Sequence, residues 1–394
     1  MTIRAACIFL VAALSVGGIG TWRAIHLKET SAVTSPSYLK SWSPSAAASY
    51  LDAREVWWQK WPSAQMDHGT VCISCHTVVP YALVRPALRQ RLGEKGMNGT
   101  ERTMLASVEK RVSDWSRVTP YYTDATFGPG KSAQSRATEA VLNAVILSAF
   151  DSTSSHLSPL TQTAFENAWA LQEEAGEKAG GWNWQDFHLA PWESTESGYQ
   201  GAALMAVALG NTPGDYLREP GVHKHLARLK DYLHRQYAVQ PLMNQLYVLW
   251  ASARMPELMS SVDRTKLIEK IDGLQLRDGG WALPSLDQQP GLKRYLLDRW
   301  KQMSNTAESD GCATGLVVLA LEEDGAKPRD PVLNRGLEWL AAHQAKDGSW
   351  WASSLNGSPD RDSDLGRFMS DAATGYAVLA LENIKGVGPV SIPR

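Results

Sequence analysis

Cysteine is scarce: there are four in 394 residues, and one of them, Cys7, sits in an N-terminal apolar run. The other three, Cys72, Cys75 and Cys312, are too few for a disulfide scaffold. Charge bias is also lacking. A formal net charge of −2 gives no basic footprint for nucleic acid and no pull toward an anionic surface. Runs of alternating apolar and polar residues closed by hairpin turns are missing, which excludes a β architecture. Phenylalanine is low, at 6, whereas tryptophan reaches 16. Each tryptophan needs a large pocket and a partner for its N–H, so the fold has to account for the excess. Charged residues at 20% and apolar residues at 44% are ordinary for a globular chain. The length allows one large domain or two medium ones.

The N-terminus reads as an export segment. Arg4 precedes an uncharged, mostly apolar run over 5–20, with small residues Gly18 and Gly20 at its end. The run continued to Trp22 approaches the ~20 residues that span a bilayer. Residues 1–26 are therefore either a signal peptide or a membrane anchor. Both place the body in the periplasm or another extracytoplasmic space, soluble or held through the N-terminus. Residues 27–50 are rich in Ser, Ala, Thr and Pro and read as a tether. Residues 51–100 form a short segment with its own motif. Residues 101–390 are helical by pattern, with apolar residues recurring at three and four.

The helical part repeats itself. Three segments open with an acid (Glu196, Asp310, Asp371), carry a Gly four or five residues later (Gly201, Gly315, Gly375), and continue as Ala/Leu/Val helices. Helices apolar nearly all round are buried, so these are expected as the inner helices of a layered array. A second motif precedes two of them: Gln275, Gly279, Trp281 and Gln344, Gly348, Trp350 share one spacing, and Gln172, Gly180, Gly181, Trp182 is a looser copy. An outer helix is expected to end at the Gln, the Gly to allow the reversal, and the Trp to pin the loop to the next helix.

The segment 51–100 carries Cys72-Ile-Ser-Cys75-His76. C-x-x-C-H is the attachment pattern of a c-type haem. Two thiols bond the vinyl groups and the adjacent His reaches the iron as proximal ligand. One covalent haem c is the expected cofactor. A zinc site would bring a second ligand pair and a redox cysteine pair a βαβ context; the sequence offers neither. For the sixth iron position the candidates are Met97, Met104, Met66 and His188, with a vacant position also open. A segment this short is expected to pack on the helical body, where Trp57, Trp58 and Trp61 either cover the ring or fill the core.

The Gln–Gly–Trp segments resemble the QW repeats of squalene–hopene cyclases and the wider terpenoid cyclase and protein prenyltransferase superfamily. The resemblance covers roughly 135–385. It implies an all-α fold, an α/α toroid of helical-hairpin repeats with a short N-terminal haem-binding segment packed on it. The cyclase acid motif D-x-D-D is missing. Asp310-Gly-Cys312 resembles the D-C-T-A-E acid motif with a Gly inserted and the Glu absent. It also resembles the Asp-x-Cys zinc pair of prenyltransferases, but the following inner helix has no His and offers only Asp371. Candidates for a catalytic residue on the toroid are therefore Asp310, Asp371 and Glu196. Asp360, Asp362 and Asp364 resemble the opening of a calcium loop without its closing Glu. The run Trp182 to His188, with Trp192, Glu193 and Glu196, could line the toroid mouth or simply pack a loop.

The combined expectation is an exported haem-dependent oxidoreductase acting on an apolar, isoprenoid-like molecule held in the toroid, served by a redox partner protein or a quinone. Two alternatives are a terpenoid cyclase or prenyltransferase-like enzyme with an accessory haem, and a non-catalytic electron-transfer or scaffold protein. Nucleic acid is not an expected partner.

Overall fold

The computed structural model describes residues 38, 41–152, 156–213, 215–287, 308–357 and 359–383. The N-terminal run, with the signal-or-anchor expectation, and most of the tether lie outside the described residues. Twelve described helices of about three turns or more alternate between two layers: α1 (Pro44–Lys60), α2 (Val78–Arg91), α3 (Gly99–Ser113), α4 (Lys131–Asp151), α5 (Pro159–Trp169), α6 (Ser197–Gly210), α7 (Pro220–Gln236), α8 (Leu242–Ser252), α9 (Ser261–Leu274), α10 (Gly311–Glu323), α11 (Pro331–Ala342) and α12 (Asp364–Asn383). None of the described helices is long and apolar enough to cross a membrane.

The helix starts follow from local chemistry. Ser43, Ser158 and Asp330 each cap a helix whose first residue is Pro, where a missing N–H costs nothing. Asn98 and Glu101 form a reciprocal capping box at α3. The even-numbered helices have no polar face and are buried over most of their length, as in α4, α6, α8 and α10. Their apolar surface on all sides demands protein on all sides.

These even helices form a closed ring. α2 packs on α4, α4 on α6, α6 on α8, α8 on α10, α10 on α12, and α12 returns to α2. The odd helices ring them outside. The chain is thus an all-α protein and an α/α toroid. The short N-terminal segment, expected to pack on the toroid, is instead part of the ring: α2 stands as an inner helix between α12 and α4, with α1 outside it.

The Gln–Gly–Trp loops show how the ring is stitched. The indole N–H groups of Trp182, Trp281 and Trp350 donate to Ala168, Ile271 and Leu340, each in the outer helix just completed. The tryptophan therefore pins its loop backward, contrary to the expectation of a forward contact. The glutamine reaches forward. Gln172, Gln275 and Gln344 each donate to the carbonyl of the loop glycine and to a carbonyl of the next outer hairpin, at His225, Val332 and Ser43. Ser43 caps α1, so the last loop binds the first helix across 301 positions of sequence. The glycines are required: Gly180, Gly279 and Gly348 all have φ between 93° and 96°, and a Cβ at Gly348 would stand 2.1 Å from the Ala46 carbonyl oxygen.

Candidate functional site

The Cys72–His76 loop is held at the top of α2 by its own small polar residues. The hydroxyl of Ser74 accepts from the backbone N–H groups of Thr77 and Val78 and so serves the first turn of α2. Trp58 donates its indole N–H to the Cys72 carbonyl at 2.7 Å, and Cys72 N–H donates to the Ala64 carbonyl. Val71 N–H donates to Ser107 Oγ on α3. The loop is therefore fixed from α1, α3 and its own preceding turn.

This loop forms one wall of a narrow cleft. Trp58, Cys72, Ile73, Ser74, Cys75 and His76 face Tyr121, Tyr122, Ser135, Thr138, Gln185 and Glu193. The opposite wall includes residues of the 182–196 run, so that aromatic and acidic cluster meets the C-x-x-C-H loop in space. Gln185 is 3% exposed, its backbone N–H donates to Thr138 Oγ1, and neither atom of its side-chain amide has a partner. The indole N–H of Trp192, whose ring lies 6.0 Å from that of His76, is likewise buried without a partner. An unpaired buried polar group costs roughly 1–3 kcal/mol. Two side chains in this state beside one cleft are what a bound polar molecule would satisfy.

His76 is the best-supported side chain of the cleft. Its ring stacks on Phe368 at 4.1 Å and meets Trp58 edge-on at 5.4 Å. Trp57 and Trp61 complete this aromatic cluster, stacked on each other at 5.1 Å. Burial, helped by the Arg54 charge, pushes the imidazole down to about 3, so it is neutral at ordinary pH. Burial, helped by Glu193, pushes the Cys75 thiol far up. Burial also raises the Glu193 carboxyl to about 7, against the pull of Lys131. The cleft thus holds a neutral imidazole, a protonated thiol and an acid that titrates near neutrality.

Of the residues named for the sixth iron position, Met104 is 2% exposed and lies behind Cys72 among Glu55, Gln59 and Val108. Met66 packs against the core and His188 projects into solvent with 89% of its side chain exposed. None of these, nor Met97, lines the cleft.

Two of the three acids named on the toroid hold its framework together. Asp310 is fully buried and caps α10, accepting from Cys312, Ala313 and Leu283 N–H groups. Asp371 lies within α12 and accepts from Tyr50, Arg54 and Thr77. Glu196 precedes α6 without a side-chain capping bond. Cys312 is fully buried beside this framework, and no group of three His, Cys, Asp or Glu among the described residues could hold a metal ion. That removes the zinc and calcium readings. Tyr247 of α8 reaches past α10 to bond the hydroxyl of Tyr376 on α12, both rings buried.

No known family profile matches the chain, and no curated protein matches it. Among solved structures the chain is similar to an unsaturated glucuronyl hydrolase from Streptococcus agalactiae, with 10% identity over 89% of this chain and 95% of that one and a TM-score of 0.48. It is also similar to a possible member of the GH105 family from Salmonella enterica serovar Paratyphi A, with 12% identity over 92% of this chain and 98% of that one and a TM-score of 0.45. The expected likeness to squalene–hopene cyclases and prenyltransferases is corrected: neither of these structures is named as one, and the repeated Gln–Gly–Trp loop here is a way of closing a toroid. The oxidoreductase reading on an isoprenoid-like molecule falls with it. So does the cyclase or transferase alternative: Asp310 caps a helix and Asp371 pairs with Arg54. The reading as a cytochrome for electron transfer, or as a scaffold alone, is corrected too. The solved structures that the chain is similar to are named as neither kind.

Proposed function

We propose that the cleft between the Cys72–His76 loop and the 182–193 segment is the working site, a small-molecule site, and that its cofactor is one covalent haem c. The thiols of Cys72 and Cys75 would each add S–H across a vinyl double bond, the sulfur and the proton going to its two carbons. His76 would give the iron its nitrogen ligand. The donor types suit the group: two cysteines and one neutral imidazole line the same cleft, and a neutral nitrogen is the form that binds metal; the cleft itself has only about 40 Å³ of free space, so a haem would have to part its two walls. When bound, the group supplies an iron centre. This chain's own residues orient the imidazole, exclude water with Trp58 and Phe368, and offer Gln185 as a polar contact. Attachment through thioethers goes with an extracytoplasmic location. The observation that carries this reading is that Cys72, Cys75 and His76 line one cleft, which the unpaired amide of Gln185 also lines. Protein exported alongside haem-maturation machinery is expected to keep a haem stain after denaturing electrophoresis, and Cys72→Ala with Cys75→Ala to lose it. An unstained wild-type chain of unmodified mass would overturn the assignment.

Glu193 favours a second reading, hydrolysis by general acid–base catalysis. A carboxyl titrating near 7 can both give and take a proton at neutral pH. Under that reading Glu193→Gln lowers kcat on a cleavable substrate by about 10²-fold or more and leaves haem content unchanged.

A further inference from the structure

We propose that Asp371, a residue of the last inner helix, decides which ring nitrogen of His76 carries the proton, acting as a positioning residue through the hydroxyl of Thr77. The inference rests on the reading of His76 as the group that takes a ligand.

The argument is one of hydrogen-bond polarity. Arg54 is a donor only, and its Nε approaches both oxygens of Asp371, at 2.8 Å and 3.1 Å. Tyr50 OH donates to the same carboxyl at 2.8 Å. Burial raises the Asp371 carboxyl, but the Arg54 charge and the Tyr50 and Thr77 hydroxyls all favour its charged form, and the geometry has it accepting from each of them. Thr77 Oγ1 lies 2.7 Å from Asp371 Oδ2, so its single proton points to Asp371. Thr77 Oγ1 also lies 2.9 Å from His76 Nδ1. With its own proton committed, the hydroxyl can only accept there, so Nδ1 carries the ring proton. The lone pair is left on Nε2, the nitrogen not engaged by Thr77. A carboxylate acting on a histidine through its other nitrogen is the arrangement that fixes tautomer and raises ligand basicity. Here it acts through a hydroxyl and from across the ring seam, 294 positions away in sequence.

Arg54 is held by aromatic rings. Its guanidinium lies 4.4 Å over the Trp57 ring and 6.0 Å from Phe368, the ring on which His76 stacks. Arg54 and His76 therefore lie against the same Phe368 ring, and Arg54 is bonded to Asp371.

The test is the tautomer of His76 in the full chain. Protein made in the cytoplasm with 15N-histidine, where no iron is attached, is measured by long-range proton–nitrogen correlation, and His76→Gln assigns the signal. Wild type is expected to carry its proton on Nδ1. Thr77→Ser should keep it there. Thr77→Val, equal in shape but unable to accept, should move the proton to Nε2. Asp371→Asn should do the same in part, because an amide N–H can donate to Thr77 and reverse the chain of bonds. A wild-type proton on Nε2, or an unchanged Nδ1 signal in Thr77→Val, would overturn the proposal. Failure of the haem assignment appears separately, in the stain of the exported protein, and leaves the tautomer result standing.

Discussion

Gln185 shows how a single residue separates stability from use. Its amide is buried and unpaired, so the ligand-free chain carries its desolvation cost. Gln185→Leu removes the polar atoms while keeping most of the volume, and the ligand-free chain is expected to gain about 1–3 kcal/mol in urea unfolding. The same variant should weaken whatever occupies the cleft. A loss of stability instead would mean that the amide is paired in solution. Sequence alone named Cys72, Cys75 and His76 from their spacing. It quoted Gln185 and Glu193 only as members of an aromatic and acidic run. It missed Thr77, Tyr121 and the role of Asp371, because a hydroxyl or a buried acid acquires a role only from what stands opposite it.

At the scale of elements, the repeated loop is the unit of construction. Its glycine takes a left-handed backbone conformation while the next outer helix presses on it. Gly348→Ala should cost about 1–3 kcal/mol from backbone strain alone, and the contact with the Ala46 carbonyl adds to it. Gly325 has a similar φ of 100° but nothing within 4 Å of a Cβ. Gly325→Ala is therefore the control, and chemical denaturation should find it clearly the milder of the two. Equal losses would show that the crowding at Ala46 is absent. The inner helices were legible from their lack of a polar face, and the loop from its Gln–Gly–Trp spacing. The direction of the tryptophan contact was not, since a spacing does not tell which of two adjacent helices supplies the acceptor.

At the scale of the whole molecule, burial of acids sets the pH response. Burial raises Glu55, Glu193 and Asp310 to about 7 and Glu322 to about 8, all from ordinary values near 4. For each, the folded chain holds a proton that the unfolded chain releases, so its contribution is complete below about pH 4 and lost as pH rises through 7 to 8. His76 works the other way, favouring the fold above its unfolded value near 6.5. Four groups outweigh one, so the Tm of the ligand-free chain should fall between pH 5 and pH 8; a rise over that interval would show these acids ionised in the folded chain. The sequence by itself determined that this chain is all helical, that its apolar helices are interior, that a hairpin recurs, and that two cysteines and a histidine share one turn. Those properties are written in periodicity and local spacing. Only the tertiary structure decided that the ring closes through the N-terminal segment, that Gln344 binds Ser43, and that Asp371 reaches His76 through Thr77. Each of these joins residues about 300 positions apart. Such contacts depend on the ring's closure, which no local pattern encodes.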